Sequence, residues 1–210
     1  MHLVKKSKMR LKYINHFFIY FLIISSLLVC NSNTAEEDKN INVGNKDAKI
    51  IVKVFSSLTC PYCADFHKKI FTKLKKEFID SNLVRFEHHG FPLDLAALNA
   101  EKILRCATDQ KKRLALLDEI YAKQEEWASS NDINNINSKL SKIAKKYDLN
   151  DVMINSCLVD ENLEDQILEI RINANKKYSI RSTPTIFINE KKYNGSHDYD
   201  LFKKEIEKLL

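Results

Sequence analysis

Two cysteines two residues apart, Cys60 and Cys63, stand directly after a β-branched run, and that context makes their spacing informative. The run Lys49 to Ser56 (KIIVKVFS) reads as a central strand. From Cys60 the period changes: Phe66, Ile70, Leu74 and Phe78 recur every four residues, as on a helix packed against a sheet. Pro61 suits the first turn of that helix, where a missing N–H costs nothing. A cysteine at a helix start lies among unpaired amides carrying partial positive charge, so a thiolate at Cys60 is stabilised and its pKa falls. Cys63, one turn later, is placed to close a disulfide with it. Cys60 is then the exposed attacking or leaving sulfur and Cys63 the resolving one. A metal reading takes Cys60, Cys63 and His67 at i, i+3 and i+7 as part of a site, but a closed zinc centre would need a fourth donor that only Cys106 or Cys157 could bring. An inert structural disulfide is the third reading. Redox chemistry is favoured because the stripe through Phe66 and Ile70 needs the adjoining helix face, and His67 alone reads as a surface or helix-packing residue.

The second chemical signal is Ser182-Thr183-Pro184-Thr185, at the start of a later strand. Proline removes a ladder donor, so its place at the first residue of a strand asks for a turn or a cis bond. A loop of this kind could lie against the cysteine pair and leave the Thr183 backbone free to pair with an extended peptide.

The elements that must position these residues follow from periodicity. Asp80, Ser81 and Asn82 end the first helix, and Leu83 to His88 reads as a second strand, parallel to the first through a helical crossover. Residues 94 to 128 are rich in Ala, Leu, Lys and Glu, with Leu114, Leu117, Tyr121 and Gln124 on one face. Helical pattern continues through Leu140, Ile143, Ala144 and Tyr147, a short turn from Val152 to Cys157, and a helix carrying Leu163, Ile167, Ile170 and Ala174. Strand character returns at Pro184 to Asn189 and turns back through Lys192 to Gly195 as an edge hairpin; Asp198 then caps a final helix lined by Tyr199, Phe202, Ile206 and Leu209. The order β-α-β, helical block, β-β-α predicts an α/β fold interrupted in its middle: residues 49–93 and 178–210 form one layer, and 94–177 an all-helical insertion.

Charge says little about function once its location is noted. The net +6 contains five positives before residue 13 (Lys5, Lys6, Lys8, Arg10, Lys12) with no acid among them, which leaves 29 bases against 28 acids. Global charge therefore offers nothing toward nucleic acid. The basic start, the apolar run Phe17 to Val29 and the polar stretch after it have the order of an export signal, with residues 1–35 as the targeting segment and 36–48 as a polar lead. Cleavage after Ala35 is one outcome, lipid modification of Cys30 another, and an amphipathic helix of the domain itself a third. Removing Cys30 leaves Cys60, Cys63, Cys106 and Cys157, an even number in a compartment where disulfides persist.

In combination, FSSLTCPYC, EHHGFPLD (87–94), LRCATDQKK, INSCL (154–158) and RSTPTIFIN resemble the DsbA-like thiol:disulfide oxidoreductases, in the bacterial branch with extra cysteines in its helical insertion. The resemblance covers residues 49–210. It implies a thioredoxin-like fold with an inserted all-helical domain, Cys60 as nucleophile, Cys63 as partner, and Pro184 as a cis-proline facing them. Pro61, Tyr62 and Thr183 would support the site. It also implies, with export, a structural disulfide between Cys106 and Cys157, against the alternative of two separate buried thiols. Tyr62 replaces the histidine of strong oxidants of this kind, suggesting a milder potential, and Thr183 is of the type seen in isomerases of the same fold. The expected function is net dithiol oxidation of exported, cysteine-containing proteins in the periplasm, by a monomer without cofactor or metal, with a membrane redox partner to reoxidise it. Isomerase or reductase activity, and soft-metal (copper) delivery through Cys60 and Cys63, are the alternatives.

Overall fold

A computed structural model describes residues 40–210; the readings placed on the leader, Cys30 and Ala35 lie outside the described residues. Five strands form one sheet in the order β1-β3-β2-β4-β5: β1 (Ile41–Val43), β2 (Ile50–Ser56), β3 (Val84–Gly90), β4 (Thr185–Ile188) and β5 (Lys191–Lys192). β2 is central, parallel to β3 and antiparallel to β4. The expected α/β order is therefore the observed one, with one addition. The stretch read as a polar lead contributes β1, which pairs antiparallel with β3 at the sheet edge.

Alternation along β2 divides two cores. Ile50, Val52 and Val54 face helix α1 and the last helix, joining Phe66, Ile70, Leu74, Phe202 and Ile206. Phe55, on the opposite face, packs with Phe91, Ala174 and Phe187. Helix α1 (Pro61–Phe66) runs on through a π-helical turn (His67–Phe71), a short α segment (Thr72–Leu74) and a second π turn (Lys75–Ile79). A four-residue spacing drifts about 40° per step around an α-helix. Wider π turns drift the other way, and their mixture keeps Phe66, Ile70, Leu74 and Phe78 buried on one side.

The helical region between β3 and β4 is broken more often than its composition suggests. It comprises α2 (Leu95–Cys106), α3 (Gln110–Ala122), α4 (Gln124–Trp127), α5 (Ile133–Ala144), α6 (Asp151–Leu158) and α7 (Glu161–Tyr178). Asp94, Asp109, Asp132, Asn150 and Asp160 each accept a backbone amide at a helix start, so the breaks are written as side-chain caps. In α7, Ile167 and Ala174 are buried while Leu163 and Ile170 are only half-buried. Asp198 caps α8 (Tyr199–Glu207) as expected, and Tyr199, Phe202 and Ile206 are buried; Leu209 is 49% exposed, beyond the helix end and off its apolar side.

The insertion is keyed to the sheet by buried polar groups. His88 on β3 donates to Glu101 of α2 at 3.1 Å, with both side chains nearly inaccessible. Burial pushes the Glu101 carboxyl up, but the His88 bond and Arg105 outweigh it and the net direction is down. A Cβ at Gly90 would meet the Glu101 carboxylate at 2.5–2.7 Å, which explains a glycine at the end of β3.

Candidate functional site

Cys60 is the N-cap of α1, in extended conformation, with Pro61 at the first helical position. Its carbonyl accepts the amides of Cys63 and Ala64 at 3.0 and 3.2 Å, so its own sulfur is carried to the mouth of the helix. Both thiols are free and buried, but unequally: Cys60 exposes 9% of its surface and Cys63 none. Only Cys60 can be approached from solution without moving the helix.

Electrostatics separates the pair further. The Cys60 pKa is lowered to about 5: the Cys63 thiol donating to its sulfur is the largest cause, burial opposes, and the Thr183 side chain and the amides of Cys63 and Tyr62 add to the lowering. Cys63 moves far up, first because it is buried, then because it donates to Cys60 and faces that charge. This is an ionised sulfur at the helix start with a protonated one beneath it.

The Thr183–Pro184 peptide is cis and brings the loop before β4 against the pair. As a thiol, Cys60 donates to the Thr183 carbonyl at 3.3 Å, across 123 residues of chain. The Thr183 hydroxyl is buried with no well-formed hydrogen bond of its own, which leaves it free to turn toward the thiolate. Tyr62 is 69% exposed beside the pair. With Ser182, Thr183, Pro184 and His197 it lines a hollow of about 430 Å³.

The loop before Cys60 is fixed from the insertion, through contacts that local sequence does not advertise. Thr59 Oγ1 donates to Asp94 Oδ2 at 2.7 Å while Asp94 also caps α2. Buried Gln124 Nε2 donates to the carbonyls of Leu58 at 2.7 Å and Cys60 at 3.0 Å. Sequence reading set Gln124 on an apolar helix face without a role; a polar residue in such a stripe was the available signal. His197 was missed altogether: burial lowers its pKa, the Cys60 charge pulls it back up, and it belongs to the surroundings of Cys60. Replacing Gln124 by leucine keeps the volume and removes both donors. Gln124→Leu is expected to cost about 1–3 kcal/mol for a buried acceptor left unpaired, read by urea denaturation, and an unchanged midpoint would show the carbonyls find other partners.

His67, the third donor of the metal reading, is buried and donates from Nε2 to Asp118 at 2.6 Å, stacked on Phe71 and tilted against Tyr121. It is a helix-packing residue bridging α1 to α3. Cys106, at the end of α2, is bonded to Cys157 in α6, with Cα atoms 6.2 Å apart and a sequence separation of 51. Neither can serve as the fourth donor of a zinc centre with Cys60 and Cys63. Among the described residues no group of three His, Cys, Asp or Glu is arranged to hold a metal ion.

A family profile described as Thioredoxin matches residues 36–208. Disulfide bond formation protein D of Bacillus subtilis is 29% identical over 181 residues, covering 80% of this chain and 76% of that protein. A relative in Rickettsia bellii, whose name carries the words protein-disulfide oxidoreductase, is 28% identical over 153 residues, 73% of this chain. The chain spans only 58% of that longer protein, and 61% of a similarly named one from Rickettsia conorii. Among solved structures, Wolbachia pipientis alpha-DsbA1 superposes with a TM-score of 0.75 at 26% identity, over 88% of this chain and 94% of that one. The fold is shared as well by oxidised BdbD of Bacillus subtilis, with a TM-score of 0.71 at 24% identity over 81% and 92% of the two chains. With the cysteine pair at a helix start, a cis-proline loop against it and a helical insertion between β3 and β4, the chain belongs to the thioredoxin family, in its DsbA-like form.

Proposed function

We propose that the protein is a thiol:disulfide oxidoreductase that oxidises dithiols in exported proteins. The observation that carries this reading is the asymmetry of the pair: one sulfur at the helix mouth, 9% exposed and with a pKa of about 5, the other fully buried and held protonated. In the oxidised protein a substrate thiolate attacks Cys60 Sγ, the Cys60–Cys63 bond breaks, and Cys63 leaves and takes up a proton. A second substrate thiolate then attacks the substrate sulfur of the mixed disulfide, and Cys60 departs as the thiolate its surroundings favour. The substrate has lost two electrons and the pair has gained them. A membrane redox partner that removes those electrons completes the cycle. Export past the membrane, to the periplasm, fits a protein whose Cys106–Cys157 bond needs an oxidising compartment.

Soft-metal delivery is the weaker reading, because His67 is committed to Asp118 and leaves two sulfurs alone. Isomerase activity has a specific observation behind it, the Thr183 hydroxyl beside Cys60. Refolding of a scrambled substrate faster than oxidation of a reduced one would decide for the isomerase. Thr183→Val keeps the branched shape and removes the hydroxyl. Its expected effect is a rise in the Cys60 pKa, roughly tenfold less thiolate near pH 5, and a less oxidising pair, read from thiolate absorbance against pH and a glutathione titration. If neither observable moves but mixed disulfides persist longer, the side chain acts on peptide release; if nothing changes, Thr183 has no part in the chemistry.

A further inference from the structure

The segment joining β5 to α8 carries the one Asn-Gly step in the sequence, Asn194–Gly195. Its flanks are anchored. Tyr193 donates its backbone amide to the Ile186 carbonyl at 2.9 Å and its hydroxyl to the Ser196 carbonyl at 2.6 Å, and its ring stands edge-on to Phe202. Asn194 and Gly195 form the exposed tip between those anchors, and among the described residues nothing hydrogen-bonds the Asn194 carboxamide or the Gly195 amide. An asparagine so placed can cyclise. The nitrogen of the following residue attacks the side-chain Cγ, and glycine permits this most readily, because no Cβ blocks the approach and its backbone turns freely.

Packing explains why a safer residue does not follow Asn194. A Cβ at Gly195 would meet the Tyr193 ring at 2.5–2.7 Å, so the ring that ties this loop to Phe202 demands glycine where glycine opens its neighbour to attack. The surroundings give the reaction a consequence. Asn194 and Gly195 line the same hollow as Tyr62, Thr183, Pro184 and His197. The Thr183 carbonyl lies 3.3 Å from the Cys60 sulfur, and the Cys60 charge reaches His197. Among the described residues no carboxylate lines that hollow, and its lysine is Lys192.

We propose that Asn194–Gly195 is a site of spontaneous deamidation, and that the carboxylate it creates disfavours the Cys60 thiolate. The Gly195 nitrogen bonds to Asn194 Cγ, ammonia leaves with the amide proton, and a succinimide ring closes. Water then opens the ring. Attack at Cγ returns an aspartate, whereas attack at the main-chain carbonyl carbon of Asn194 leaves an isoaspartate, with the chain rerouted through the side chain. No electrons change hands. Either product sets a negative charge on the wall of a hollow that held none, where it opposes a second negative charge at Cys60. Lys192 offsets part of it and solvent screens more, so the effect on the sulfur is modest.

The test incubates the full chain in mildly alkaline buffer and digests it with trypsin, which releases residues 193–203 as one peptide. That peptide is expected to convert into two acidic isomers, the isoaspartate one also labelled by an isoaspartyl methyltransferase. Peptides with Asn137 and Asn155, each followed by serine within a helix, should keep their amides. Conversion confined to urea-unfolded chain would mean that the folded loop shields the step, and would overturn the site. This arm needs no disulfide exchange, so it stands or falls apart from the oxidoreductase reading. For the link to Cys60, its alkylation midpoint is measured in reduced protein before and after incubation. Incubated protein and fresh Asn194→Asp are both expected to show about twofold less thiolate at pH 5 than fresh protein. Asn194→Gln should hold its midpoint through incubation, because glutamine must close a larger ring. Conversion with an unmoved midpoint would overturn the link, and so would an equal drift in Asn194→Gln.

Discussion

Reduced protein treated with iodoacetamide at a range of pH values is expected to alkylate at Cys60 with a midpoint near pH 5, while Cys63 stays unmodified until the chain unfolds. The midpoint is that of the Cys60 thiolate, held by the Cys63 thiol, the Thr183 hydroxyl and the amides at the start of α1. An ordinary thiol titrates near pH 8.5, so at pH 6 it is about 0.3% ionised where Cys60 would be about 90%. The contrast should appear as a rate difference of two orders of magnitude, moderated by the lower nucleophilicity of a low-pKa sulfur. Linkage gives the same shift a second readout. The folded pKa lies below the unfolded one, so the reduced form gains stability as pH rises from about 5 toward 8.5 and loses it as pH falls through 5. Above that window the buried Cys63, whose pKa moves the other way, works against it. With Cys60 and Cys63 joined, neither sulfur titrates, so melting temperatures of the reduced and oxidised forms should diverge between pH 5 and 8 in favour of the reduced. A constant difference across that range, or equal alkylation of both cysteines in native protein, would remove Cys60 as the activated sulfur.

How much of this was legible depends on distance along the chain. β2, the start of α1, β4 and the cap of α8 were readable because each is specified within about ten residues: a β-branched run, a proline after a cysteine, an aspartate before an apolar stripe. β1 was not, since three residues carry no period and its reason for existing is β3, more than 40 residues away. The break before α3 had a local sign, the capping Asp109, which the run of good helix formers obscured. At the site, the cysteines and the Thr183–Pro184 dipeptide stand out by residue type. Thr59–Asp94, Gln124 with the Leu58 and Cys60 carbonyls, and His197 near Cys60 join residues 35 to 137 apart, and no spacing rule brings them together. Thr183 before the proline was visible by its type, but its meaning needed the hydroxyl to be found buried beside Cys60.

Removing the second cysteine pair should have the largest effect on stability. The bond between Cys106 and Cys157 closes a loop of 51 residues that contains α3, α4 and α5. Loop closure of that size restricts the unfolded chain by about 4 kcal/mol, and engineered removals usually realise somewhat less because the unfolded state keeps some structure. Cys106→Ala/Cys157→Ala is therefore expected to lose roughly 2–4 kcal/mol in urea denaturation. The site should feel part of this. Cys106, Ile154, Leu58, Cys60 and Cys63 belong to one buried cluster, and the Gln124 clamp on the Leu58 and Cys60 carbonyls stands on the segment the bond encloses. Loosening α4 frees those carbonyls and with them the loop that holds the helix mouth. The variant should thus show a weaker grip on the Cys60 thiolate, a higher alkylation midpoint, as well as a lower urea midpoint. A large stability loss with an unchanged Cys60 titration would mean that the bond staples the insertion alone and that Asp94 suffices to hold the loop. An unchanged urea midpoint would mean that packing of Trp127, Leu140 and Ile120 already holds these helices in place.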